Sequence, residues 1–437
     1  MPAGRTGIYG YRWVVLTAYM LITAALQVQW LAYAPIARAA AKFYQGQFDP
    51  NSIINIDFPA MLYMIVFLVM CVPASYVIDT YGIRVGLGIG SLIAAVSALF
   101  KGFLADSFMA VVVCQTGLAL AQPFILNAAT AMTARWFPLK ERGRVVGLAS
   151  LAQYLGILFV MLVTPILVVT DPQRPDYGGG IDAVMMYYGI GTFIAGLTAL
   201  ALIKDRPELP PEIEDQVRHR FFDGLKHIFA NRDMIILVFL FFVGLGIFNA
   251  ISAMVDAIAG SLGVVDSDGL IGGLMLIGGI AGAVVIPALS DRYRRRKIFI
   301  VLCLGGALAG VAGLAFAADL GATPSSAYVV ALAASFVLGF FIMSAGPLGF
   351  QYAAEVSFPA PESTSQGLLL LAGQITGMLF VAGMSIQNNR YLQLFMLIFV
   401  LLSVLTFFLS LFLRESPMII TEAEKAGSRG ARRETYH

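Results

Sequence analysis

KDRPELPPEIEDQVRHRFFDGLKHIFANRD, Lys204 to Asp233, is the longest polar stretch in this chain. Its Pro-rich start and mixed charges suit a linker, with a short amphipathic helix near Phe221–Phe229. Six long apolar runs precede it, at 13–37, 58–79, 85–104, 108–133, 145–168 and 182–203. Six follow, at 234–259, 269–289, 298–317, 326–353, 366–387 and 391–413. At a rise of about 1.5 Å per residue, about 20 apolar residues cross the hydrocarbon core of a bilayer. Every backbone polar group in lipid must be satisfied locally, so each run is predicted to be a transmembrane helix. The expected fold is all-α, with twelve membrane helices in two pseudo-symmetric six-helix halves. The predicted units are 1–203, the linker 204–233, the second bundle 234–413 and a tail 414–437.

Composition agrees with this reading. Hydrophobic residues make up 59% of the 437 residues, charged residues 12%, and mean hydropathy is +0.82. A soluble chain carries about a quarter charged residues, so most of this surface must face lipid. Of the 28 Lys and Arg residues, 23 fall on the side that holds both termini and the linker. The other five, Arg38, Lys42, Lys101, Arg174 and Arg390, are assigned to the opposite loops. Positive charge marks the cytoplasmic side, so both termini are expected in the cytoplasm and the chain in an inner or plasma membrane. The first apolar run is too long for a cleavable signal.

Three cysteines, Cys71, Cys114 and Cys303, lie in apolar runs, and the three histidines lie in the linker and at the terminus. Neither set has metal-ligand spacing. No cofactor or metal is expected, and no nucleic acid partner. No nucleophile stands beside a base within a span, so an enzyme is not expected. The expected partners are a small solute and lipid, and the expected state is a monomer.

The loops repeat. DTYGIRVGL (Asp79–Leu87) follows the second span, and SDRYRRRKIF (Ser290–Phe299) follows the eighth. Each sets an Asp at the end of a span with Arg just beyond it. The first matches the Asp-x-x-Gly-x-Arg loop of the major facilitator type at Asp79, Gly82 and Arg84. The second matches it more loosely at Asp291, and RWFPLKERGRVVG (Arg135–Gly147) resembles the loop after the fourth span. Asp79, Gly82, Arg84 and Asp291 are therefore candidate gating residues, through ion pairs and helix ends. The basic run Arg294–Lys297 is read as topology anchoring.

Polar residues inside spans are costly and mark a solute pathway by default. They gather on the expected cavity-lining spans: Gln27, Gln29, Trp30 and Tyr33 on the first, Gln122 and Asn127 on the fourth, and Gln153 and Tyr154 on the fifth. The seventh contributes Asn249 and Asp256, the tenth Gln351, Tyr352 and Glu355, and the eleventh Gln374 and Thr376. The plain alternative for the amides is interhelical hydrogen bonding, worth about 1 kcal/mol each. For Trp30 it is the interfacial aromatic belt. Asp256 and Glu355 lie near opposite ends of their spans and are read as gate or helix-end groups. No acid falls at mid-membrane, which favours facilitated diffusion or a gradient other than protons.

Four segments carry a family resemblance: ALQVQWLAYAPI (25–36), IDFPAMLYM (56–64), LAQPFILNAA (120–129) and FPAPESTSQGLLLLAGQITGMLF (358–380). They resemble the feline leukaemia virus subgroup C receptor family, choline and ethanolamine transporters also linked to haem. The resemblance implies alternating-access transport of a choline- or ethanolamine-like amine. It implies that Trp30 offers an aromatic face to the ammonium and that Gln122 and Gln374 fix the hydroxyl end. Gln29, Tyr33 and Asn249 complete the candidate substrate set. Asn249 stands where that family has a Tyr, and Ala131 where it has an Arg. The alternatives are an organic-anion or efflux carrier, in which Asn249, Lys42 and Arg135 would matter more, and a membrane sensor that binds without translocating.

Overall fold

The structure is a computed structural model and describes residues 9–208, 228–262, 266, 269–293, 295–321, 323–357 and 362–416. Most of the linker segment expected to be amphipathic lies outside these residues.

Among the described residues, twelve helices are long and apolar enough to span a membrane. In chain order they are α1 (Tyr11–Trp30), α2 (Phe58–Tyr81), α3 (Ile83–Phe103), α4 (Phe108–Leu126), α5 (Leu139–Leu167) and α6 (Ile181–Leu202). The second half has α7 (Arg232–Ala253), α8 (Leu270–Tyr293), α9 (Arg296–Ala315), α10 (Pro324–Val356), α11 (Glu362–Asn389) and α12 (Leu392–Ser410). The side holding residue 9 and the start of the linker is called the linker face, and the other the far face. The first apolar run is not one straight helix. α1 stops at Trp30, and a turn at Ala34–Ile36 and a short helix Ala37–Phe43 carry it on at the far face.

Outward faces are apolar and open. Val69 and Leu401 are 70% exposed, as a lipid-facing belt requires. Inside each half, small residues let backbones approach closely. α3 packs on α6 and α8 on α10. At Gly189, in α6, a Cβ would press on the Ala98 carbonyl of α3, so only glycine fits that crossing.

The halves meet through α2 against α11 and α5 against α8. α5 and α8 touch near Met161 and Leu162, where Gly269 (φ +63°) and Gly273 leave room. The polar contacts between the halves cluster at the far face. Asp256, just past α7, accepts from Arg38 N (2.7 Å), Nε (3.0 Å) and Nη2 (2.8 Å). Asn55 Nδ2 donates to the Ser385 carbonyl (3.1 Å), and Ser385 Oγ donates to Asp57 (2.8 Å). These far-face contacts join the bundles at that end.

On the linker face, the contacts described tie each half to itself. Asp205, after α6, accepts from Ile83 N at the start of α3 (2.7 Å) and pairs with Arg135 (2.6 Å). Glu415, after α12, accepts from Arg296 N (2.6 Å) and Lys297 N (3.1 Å) at the start of α9. In both halves an acid that follows the sixth helix caps the third. An anion is favoured there by unpaired N–H groups and the helix dipole.

Candidate functional site

α1 ends where the two halves close, and its last residues divide between two environments. Trp30 and Tyr33 line a small cavity between the halves, with Ile56, Asp57, Ala60 and Ala253. The Trp30 indole N–H donates to the Ala60 carbonyl (3.1 Å). That bond ties α1 to the first turn of α2 and leaves the ring, not the donor, for the cavity. Tyr33 shares a hydrogen bond with the Tyr44 hydroxyl (3.1 Å).

Gln29 is turned the other way. It is fully buried inside the first half, where its Nε2 donates to Thr192 (3.1 Å) and its Oε1 accepts from Lys101 Nζ (2.9 Å). Its carbonyl accepts from Gln115 Nε2 (3.0 Å). The expectation that Gln29 contacts solute is therefore corrected: its side chain is committed to Lys101 and Thr192. Successive helix positions point about 100° apart, so Gln29 and Trp30 cannot share a face. Lys101 is corrected as well. It is not a loop cation. It lies inside α3, fully buried, with its Nζ 5.2 Å from the Tyr33 ring centroid. Its described partners are neutral, and burying an ammonium without a counter-charge is costly.

Gln122 and Asn249 are each 3% exposed. Gln122 Oε1 and Asn249 Nδ2 have no hydrogen-bond partner among the described residues, nor do Gln27 Oε1 on α1 and Ser252 Oγ on α7. A buried polar atom left unpaired costs about 1–3 kcal/mol. These atoms can satisfy a polar guest without breaking a bond in the protein. Asn249 lies where α2, α7 and α11 meet: a Cβ at Gly377 would stand 3.1 Å from both Asn249 Nδ2 and Met64 Sδ. Gln374, half-buried, is about one turn from Gly377 toward the linker face. Thr376, beside it, donates to the Phe242 carbonyl and is used in packing.

The candidate gating residues divide too. The side chains of Asp79 and Asp291 lie outside the described residues. Gly82 joins α2 to α3 at φ +98°, ψ 166°, a conformation that only glycine adopts readily. Arg84 is exposed. The acid paired at this loop is Asp205, which the sequence reading missed. The anchoring role for the run Arg294–Lys297 is corrected at Arg296. That residue is 6% exposed, bonds Ser290 Oγ (3.2 Å) and pairs with Glu355 (3.1 Å).

Asp57 is the other residue without an assigned role. It precedes α2, is 4% exposed and faces the Trp30–Tyr33 cavity. Burial pushes its carboxyl up to about 6, against the hydrogen bond from Ser385, and Asp256 adds to the rise.

This architecture of two six-helix halves, with unpaired polar atoms along its interior, has a match in sequence. Residues 15–381 match the Major Facilitator Superfamily. The chain belongs to that superfamily. Among curated relatives, it is 27% identical over 385 residues to an uncharacterized MFS-type transporter of Caenorhabditis elegans, covering 85% of this chain and 63% of that protein. It is 27% identical over 404 residues to the choline/ethanolamine transporter FLVCR1 of Felis catus, covering 89% of this chain and 70% of that one. A bacterial homologue of the human lysosomal transporter Spinster, solved in an inward-facing and unoccupied conformation, superposes with a TM-score of 0.69. The match covers 94% of this chain and all of that one at 13% identity, and shows the shared fold. The chain is thus a multi-pass transporter of that superfamily, which is not enzymatic in general.

Proposed function

We propose that this transporter moves a choline- or ethanolamine-like amine by alternating access, as a monomer in an inner or plasma membrane. The linker face is taken as cytoplasmic, as the Lys and Arg distribution implies. The observation that carries the reading is the pair of aromatic rings, Trp30 and Tyr33, on one cavity between the halves. A quaternary ammonium has no N–H donor and prefers an aromatic face. Gln122, Asn249 and Gln374 would hold the hydroxyl or amino end deeper in the pathway, as the carrier opens to the linker face. The Felis catus relative, a choline/ethanolamine transporter, supports the same substrate class.

Uptake of labelled choline and ethanolamine into proteoliposomes tests the reading. Trp30→Ala is expected to abolish it, and unchanged uptake by that variant overturns the assigned site. A second reading draws on Lys101, whose buried charge behind Tyr33 would attract a carboxylate. A panel of carboxylates in the same assay separates the two: anion uptake lost in Lys101→Met favours an anion carrier.

A further inference from the structure

We propose that Asp57 is the charge-recognition residue at the far mouth of the carrier. With the halves apart, its carboxylate meets the cationic group of an arriving amine; with the halves together, it holds a proton instead. The inference rests on the amine reading above and assigns that site its counter-charge.

The geometry supplies the argument. Asp57 shares one cavity with Trp30 and Tyr33. No Lys or Arg pairs with it among the described residues. Arg38, a cation of the far closure, places its backbone N, Nε and Nη2 on Asp256. What Asp57 receives across the closure is one hydroxyl, from Ser385 of the other half. The other titratable or charged groups facing it are few. α1 and its extension contribute Tyr33, with Tyr44 and Lys101 behind it. The second half contributes Asp256, whose charge repels that of Asp57. α11 contributes only the neutral Ser385.

An ionised carboxylate enclosed near a second carboxylate, with no cation paired to it among the described residues, is costly. Closure is therefore cheaper with a proton on Asp57. The direction follows from linkage. A carboxyl near 4 in water and at about 6 in the closed state takes up a proton on closing. The closed state is favoured in acid and loses that advantage as pH rises through 6. Protons and the amine compete for the same oxygens, and acid weakens uptake. A group titrating near 6 is about 90% protonated at pH 5 and about 10% at pH 7. The apparent KM for a cation should thus rise by up to about tenfold across that range.

The test measures labelled choline uptake in vesicles with the same pH on both faces, from pH 5 to 7.5. A neutral isostere, 3,3-dimethyl-1-butanol, serves as competitor. In the wild type, KM is expected to rise toward acid, by up to about tenfold. Asp57→Asn is expected to show the acid-like KM at every pH and to reduce the preference for choline over the isostere by a similar factor. Asp57→Glu should retain the pH dependence. Ser385→Ala removes a hydrogen bond that favours the ionised form, so its midpoint should move to higher pH. Uptake of choline with a pH-independent KM in the wild type, or with KM and selectivity unchanged in Asp57→Asn, overturns this inference and leaves the amine reading standing. No choline uptake by the wild type overturns both. Should Asp57→Asn fail to fold, Ser385→Ala decides, and an unmoved midpoint overturns the inference.

Discussion

Arg38→Met tests whether the far closure is a gate that opens. In the closed state the Asp256 side chain is 8% exposed and that of Arg38 35% exposed. The substitution leaves Asp256 one bond, from the backbone N of residue 38, and removes the two guanidinium contacts. Stripping the partner from a buried charge costs about 3–5 kcal/mol. Arg38 is one-third open to solvent and so already partly screened, and about 2 kcal/mol is the better figure. That cost falls on the closed state alone, so the open population should rise by about 30-fold. The assay is a cysteine at Ala253, which is 2% exposed in the closed state and lines the cavity. The three native cysteines are buried, so their background labelling is low. A membrane-impermeant thiol reagent on the far side should modify Ala253→Cys about 30-fold faster when Arg38→Met is added. An unchanged rate would show that the pair does not hold the halves together. The charge swap Arg38→Asp with Asp256→Arg should bring the rate back toward that of the parent.

Three further outcomes follow from the geometry. Gly82→Ala places a Cβ at φ +98° and drives it into the Asp205 carboxylate. It should cost about 1–3 kcal/mol and lower the Tm in detergent, and an unchanged Tm would refute the strain. Asp205→Asn keeps the size of the α3 cap but loses its charge and its pairing with Arg135, so a fall in stability of about 1 kcal/mol is expected by chemical denaturation. Lys101→Met removes a buried ammonium whose described partners are neutral. Its Tm should hold or rise, and a marked fall would mean that its bonds to Gln29 outweigh desolvation.

Much of the fold was legible because lipid imposes a coarse rule. A helix of about 20 apolar residues is read by hydropathy alone, and twelve such runs split six and six by one polar stretch fix the architecture. The site was harder. Gln29 and Trp30 are neighbours in sequence and both buried, and hydropathy does not say which of two directions faces the opposite half. Lys101 sits two residues from the end of α3. At that distance a buried cation and a loop cation give the same local pattern, and the charge count assigned it to the loop. The pairs Arg38–Asp256 and Arg296–Glu355 join residues 218 and 59 positions apart. Nothing local connects them. Asp205 and Glu415 follow the last span of their halves at similar distances, a repeat visible in the sequence once its meaning is known.

That repeat has a historical meaning. The same job is done by Asp in one half and Glu in the other, on elements three and six of each. If one ancestral six-helix unit already carried an acid after its last helix, duplication would hand both descendants the same fastening. The residue identity was then free to drift, provided a carboxylate still reached a backbone amide at the start of the third helix. On that account, common descent would show in which groups are held, while the letters around them have diverged.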